Sequence, residues 1–267
     1  AVQTGAAIRR AMPLGAVLTL PASGSEMNNR AIISRRAANW KRAIMNDFLF
    51  PRFAVLDPTK TFTLPPAETG NGVVDTFVHV LEQYLTYPVD GKVQDRLAEG
   101  LLLALIEEGP KALREPENYD VRANLMWAST LGLNGLIGAG VPQDWAAHRA
   151  GYELTVLYGL AHAQTLAVLV PAMLKVRSTG KKQKLLQYGE RVWGISSGAE
   201  TLRIDAAIER TRTFFETMGL PTRLADCGIT NVDADRVVEL LAEHGLATMG
   251  ESGDVTPGTI REILALC

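Results

Sequence analysis

Asn71-Gly72-Val73-Val74-Asp75-Thr76-Phe77-Val78-His79 is the stretch on which the reading of this chain turns. Just upstream, Leu64-Pro65-Pro66 puts proline at a helix start, and Val73, Val74, Phe77, Leu81 and Tyr84 recur at helical spacing, which predicts an amphipathic helix. On that helix Asp75 and His79 stand four residues apart, so both side chains project from one face and can share a cation. Taken alone, such a pair is an ordinary helical polar pair. The flanking Val74, Phe77 and Val78 turn it inward, and a buried carboxylate and imidazole need the compensation that a divalent cation provides.

Downstream the pattern stays helical. Apolar periodicity predicts helices over 93–108, 121–137, 144–158, 162–176, 181–193, 205–218 and 233–244, joined by short loops with no internal repeat. Upstream, two short apolar runs closed by proline read as buried strands: Gly15-Ala16-Val17-Leu18-Thr19-Leu20 and Phe53-Ala54-Val55-Leu56. Ala31-Ile32-Ile33 reads as a third. Two or three strands cannot make an independent sheet with both faces covered, so they are expected to be the last part of something larger. The expected fold is mainly α, with a helical domain over 61–267 and a short α/β segment over 1–60.

Composition removes several classes of function. The 267 residues are 47% hydrophobic and carry 27 Lys plus Arg against 29 Asp plus Glu, a formal charge of −2. No window combines clustered basic and aromatic residues, so nucleic acid is not expected as a partner. The longest apolar run, Leu166 to Leu174, is far too short to span a bilayer. The N-terminus lacks the pattern of a secretory signal. Cys227 and Cys267, the two cysteines, form no disulfide framework and read as inert, which predicts a reduced, cytoplasmic setting.

Three of the four histidines stand where a metal site would need them. His148 follows an expected helix start at Asp144, and His162 lies fourteen residues on, where Gly159 closes one helix and another begins. Asp75, His79, His148 and His162 fit Zn(II) or Fe(II) with positions left for water or substrate, as in a catalytic site. Glu82, seven residues after Asp75, reads either as an acceptor for a ligand histidine or as a surface charge. His244 reads as a cation at a helix C-terminus. Ser23-Gly24-Ser25 lacks the Gly-x-Ser-x-Gly pattern of a serine nucleophile, and Arg35, Arg36 and Asn39-Trp40-Lys41-Arg42 read as a solvated basic loop.

Four segments together resemble the iron-containing, or group III, alcohol dehydrogenases, in their aldehyde reductase and butanol dehydrogenase branch. They are Asn71 to His79, then Gly138-Ala139-Gly140-Val141-Pro142-Gln143-Asp144-Trp145, Gly151-Tyr152-Glu153-Leu154-Thr155 and Leu160-Ala161-His162-Ala163-Gln164. The resemblance covers nearly the whole chain and implies metal ligation by Asp75, His79, His148 and His162. It implies a two-domain architecture like that of dehydroquinate synthase, with 1–60 as the remnant of an α/β dinucleotide-binding domain. It also puts Ser23, Gly24, Ser25 and Lys41 at the rim of an NAD(P) site.

Two departures qualify that expectation. Tyr152 stands where many members of the family have a histidine, and a phenol titrating near ~10 donates a hydrogen bond but shuttles protons poorly at neutral pH. The Gly-Gly-Gly-Ser loop that presents N–H groups to the pyrophosphate occurs nowhere in the sequence, so NAD(P)H is expected to bind weakly or not at all. The implied function is metal-dependent oxidoreduction of a small-molecule alcohol or aldehyde, with Asp75 and Tyr152 at the reacting centre. The metal chemistry alone also admits hydrolysis of an ester, lactone or glycoside, with Asp75, Glu82 or Asp144 as general acid or base. Uncovered strand edges call for a partner, here a homodimer.

Overall fold

The computed structural model describes residues 7–35, 37 and 40–267. A helical body occupies most of the chain: α1 (Pro66–Tyr84), α2 (Lys92–Arg114), α3 (Tyr119–Leu133), α4 (Ala146–Tyr158), α5 (His162–Val176), α6 (Lys182–Trp193), α7 (Glu200–Thr217), α8 (Ala234–Glu243) and α9 (Pro257–Leu266). At the centre is α1, which packs against α2, α3 and α5 and is buried almost throughout from Thr69 onward. Its Val74, Phe77, Val78 and Val80 are fully enclosed, which is why a helix carrying two ionisable groups forms here: the apolar positions around them supply the burial. α5 is its apolar neighbour, with Leu166, Ala167, Val168 and Leu169 at or below 1% exposure. Among the described residues no helix is long and apolar enough to cross a membrane.

Four short strands precede the body. β1 (Gly15–Val17) pairs in parallel with β4 (Phe53–Val55), and β2 (Arg30–Arg35) pairs antiparallel with β3 (Trp40–Met45). The structure corrects the expectation that the first and last are buried: Val17, Phe53 and Val55 are exposed, because among the described residues no second layer covers the two strands. The expected strand at 31–33 is the middle of β2, whereas the basic loop expected at 39–42 is corrected to the start of β3. Arg42 there lies 5.2 Å from the ring centroid of Trp40; the expectations for Arg36, Asn39 and residues 1–6 fall outside the described residues.

Further corrections are local. The helix expected from Asp144 begins at Ala146, α3 stops at Leu133 rather than at 137, and α7 starts at Glu200 rather than at 205. α9 carries no expectation from the sequence. His244 does sit at the C-cap of α8, yet its Nδ1 lies 2.8 Å from Glu153 Oε1 on α4, so it ties two helices together rather than simply facing a helix end. Cys227 and Cys267 are free. Burial pushes the Cys267 thiol up to about 12, which agrees with the reading of an inert cysteine.

Candidate metal centre

Asp75 and His79 face inward from α1 as the sequence predicts, with His79 Nδ1 3.6 Å from Asp75 Oδ1. His148 comes from the first turn of α4 and His162 from the start of α5, and the Nε2 of each lies 3.7 Å from the same Asp75 oxygen. Asp75, His79 and His148 offer ligand atoms that all lie within 4.8 Å of one another. His162 stands outside that trio and is the more open, its side chain 28% exposed. What brings α4 against α5 is Gly151: a Cβ there would stand 2.6 Å from Thr165 Oγ1. Gly159 in the left-handed region closes α4, so the chain reverses into α5 as expected.

The four residues pass a test of fit to a cation. Asp75 Oδ1, His79 Nδ1, His148 Nε2 and His162 Nδ1 are buried side-chain atoms without a hydrogen-bond partner. Buried polar atoms are ordinarily paired, so the unpaired Asp75 Oδ1, His79 Nδ1 and His148 Nε2, grouped together, fit a donor set, with His162 turning its other nitrogen, Nε2, towards the same Asp75 oxygen. Burial would raise the Asp75 carboxyl, but His79, His148 and His162 around it hold it well below the usual carboxylate range. Burial pushes His79 down to about 4 and His162 down to about 3, against the opposing pull of Asp75, so both imidazoles are neutral at pH 7 with a lone pair to offer. For His148 burial is outweighed by Glu82 and Asp75, which lift it to about 9.

Glu82 settles between its two readings: it is a buried acceptor. Its Oε1 accepts the Ala147 N–H at 2.7 Å and its Oε2 the His148 N–H at 3.3 Å, and Oε2 also makes a short contact to His148 Nδ1. One carboxylate thereby fixes the first turn of α4 and points the other nitrogen of His148 at Asp75. Asp144 supports the same turn by accepting the Ala146 N–H at 3.1 Å. Its other oxygen meets Arg177 and lies 2.8 Å from Lys181. Both cations also meet Glu251, Lys181 at 2.6 Å and Arg177 at 3.0 Å. Asp144 is thus committed to ion pairs, which corrects its expected place among free acids or bases. Sequence reading missed Arg177, Lys181 and Glu251, because buried partners far apart in the chain leave no local spacing to find.

A lid of two strands lies beside the centre. Lys41 on β3 stands 4.9 Å from the ring centroid of Tyr152, and Arg30 on β2 stands 4.9 Å from that of Trp145. Tyr152 is 5.6 Å, centroid to centroid, from His162. Burial, together with Asp75 and Glu82, pushes its phenol up to about 12, so it stays protonated at neutral pH. The Ser23, Gly24, Ser25 loop packs on α1 beside Asp75: Thr76 Oγ1, on the next residue, donates to Ala22 O at 3.1 Å. Ser23 and Ser25 are exposed, and among the described residues neither has a histidine or carboxylate as a hydrogen-bonded base.

With the fold and the geometry of the candidate centre described, the comparisons identify the family. The model of the Fe-containing alcohol dehydrogenase family, C-terminal, matches residues 69–267, and that of iron-containing alcohol dehydrogenase matches residues 2–58. The chain belongs to the iron-containing alcohol dehydrogenase family. It is 57% identical over 263 residues to the NADPH-dependent aldehyde reductase YqhD of Escherichia coli K12, covering 98% of this chain and 68% of that protein. It is 35% identical to the NADH-dependent butanol dehydrogenase B of Clostridium acetobutylicum, covering 99% and 68%. The crystal structure of E. coli YqhD superposes with a TM-score of 0.97 at 56% identity, over 98% of this chain and 67% of that one. That of the NADH-dependent butanol dehydrogenase A of Thermotoga maritima gives 0.92 at 30%, over 98% and 67%. The chain therefore spans about two thirds of the length of these relatives.

Proposed function

We propose that Asp75, His79, His148 and His162 hold one divalent cation, Fe(II) or Zn(II), and that the chain is the metal-binding part of an NAD(P)-dependent oxidoreductase acting on small aldehydes or alcohols. The observation that carries the reading is the buried, unpaired Asp75 Oδ1 with an imidazole nitrogen of each of three histidines 3.6–3.7 Å away. On this reading 61–267 is the catalytic domain and 1–60 the end of a nucleotide-binding domain. The similarity to YqhD supports aldehyde as the substrate class.

When bound, the cation supplies Lewis acidity to the substrate oxygen and the nicotinamide exchanges the hydride. The protein's own part is positioning and proton supply. Glu82 holds His148 by Nδ1, and Tyr152 keeps its Oη–H available as a donor to an oxygen placed beside His162. Lys41, over the Tyr152 ring, keeps a positive charge on the side from which a cofactor would approach. Ser23, Gly24 and Ser25 would line the rim of the site at the nicotinamide end. The exposed β1–β4 pair supports a homodimer, which light scattering would register as twice the chain mass.

The experiment is metal analysis of the chain purified without chelator. About one Fe or Zn per chain is expected, lost in a His148→Ala, His162→Ala double variant. Stoichiometry unchanged in that variant overturns the ligand set.

A further inference from the structure

Away from the metal centre, a cleft of about 320 Å³ opens between the segment entering α1, the last turn of α2 and α3. Its walls are apolar: Phe62, Leu64, Pro65, Ala112, Leu113 and Pro116. One charged group lines it, Arg122 of α3, and that residue is only 3% exposed. Its Nε donates to Pro116 O at 2.8 Å and its Nη1 to Thr69 Oγ1 at 3.0 Å. Both acceptors are neutral. A guanidinium has five N–H donors and cannot shed its charge, so three donors and the whole positive charge are without a partner among the described residues. Every other buried arginine or lysine described, Arg177, Lys181 and Lys184, has a carboxylate within 3.0 Å.

A buried charge without a counter-charge is costly, and two neutral hydrogen bonds need no cation. Burial alone acts on Arg122, lowering its affinity for the proton, with no carboxylate near enough to oppose it. The first turn of α1 adds the positive end of a helix dipole on the same side, although Glu68 in that turn is acidic. The volume lies at the small end of ligand-sized clefts, about 300–1,000 Å³, and greatly exceeds what a bare oxyanion fills. The planar fork of arginine matches a carboxylate.

We propose that this cleft binds a small monocarboxylate with a short alkyl tail, its carboxylate on Arg122 and its tail between Leu64, Leu113 and Pro116. The site is separate from the metal centre and does not depend on the function proposed above.

The test is calorimetric titration of the full chain with hexanoate, with hexanamide as the neutral isostere and with inorganic phosphate as an anion lacking a tail. Hexanoate is expected to bind saturably, with hexanamide and phosphate each about tenfold weaker or more. Arg122→Gln should lose hexanoate binding by at least about tenfold, and Arg122→Lys by less, since the charge is kept but the fork is not. Leu113→Trp, which fills the cleft and leaves Arg122 in place, should abolish binding even if the Arg122 variants fold poorly; circular dichroism checks each. Asp75→Ala should leave it unchanged. Absence of saturable hexanoate binding to the wild-type chain overturns the proposal. So does phosphate binding as tightly as hexanoate, binding that survives in folded Leu113→Trp, or binding lost in Asp75→Ala.

Discussion

Asp144 is a carboxylate between two cations inside the protein, and its consequences can be worked out from that position. Burial would raise its carboxyl, but Lys181 and Arg177 outweigh burial and hold it below its ordinary value. A carboxylate with a depressed folded-state pKa contributes stability that is fully present above the unfolded value and is lost as pH falls through the folded one. In Asp144→Asn the two cations keep Glu251 and Asp254 as counter-charges, so the loss is that of the charge-assisted hydrogen bonds to Asp144, and a cost of about 1.5–3 kcal/mol is expected at pH 7. The gap to wild type should narrow as pH drops below about 4. Urea unfolding of both proteins at a series of pH values measures it; a gap that stays constant down to pH 3 contradicts the assignment. At this scale the sequence was most legible where chemistry repeats at helical spacing. Asp75 and His79 were readable because they share one face of one helix, whereas the Asp144 cluster joins residues more than a hundred positions apart, and no window contains it.

Among the elements, α1 shows how the strand segment is held to the helical body. At Gly72 a Cβ would stand 2.4 Å from the carbonyl oxygen of Pro21, so the loop carrying Ser23 to Ser25 lies directly on the helix turn before Asp75. Gly72→Ala must push backbone aside and is expected to destabilise by about 1–3 kcal/mol. Gly100 on α2 has nothing within 4 Å of its missing Cβ, and Gly100→Ala is expected to stabilise by up to about 1 kcal/mol through helix propensity and chain entropy. Opposite shifts of the two urea midpoints are the expected result; shifts in the same direction refute the contact argument. Apart from α9, the helices were readable from apolar residues recurring at helical spacing. Of the β2–β3 hairpin only Ala31–Ile33 was readable: β2 is mostly exposed and β3 only half-buried, and a strand with no fully buried face leaves little alternation to read.

For the whole molecule the decisive feature is the contrast between a helical body with a buried core and two parallel strands that are exposed. The body has its own apolar core and a converged donor set, whereas β1 and β4 leave Val17, Phe53 and Val55 in water. A pyrophosphate is typically held by backbone N–H groups at a helix N-terminus, and the 267 residues contain no Gly-Gly-Gly-Ser stretch. Fluorescence titration of the chain with NADPH and NADH is expected to show no saturation at micromolar concentrations. A micromolar dissociation constant would mean that Ser23 to Ser25 and Lys41 bind the cofactor unaided. The body was legible because a core announces itself in composition; the state of the sheet was not, because short apolar runs look alike whether covered or bare.

Trp145 is the one non-glycine residue described with a positive φ, 64°, and it sits between Asp144 and the first turn of α4. A bulky side chain in that region costs roughly 1–2 kcal/mol. Directed evolution for heat resistance would meet this position early, because glycine or asparagine there relieves the backbone. The same exchange removes the indole that Arg30 covers and that donates to Gln143. Variants at position 145 therefore set backbone relief against the loss of two side-chain contacts, and the sign of the change in melting temperature tells which of the two is larger.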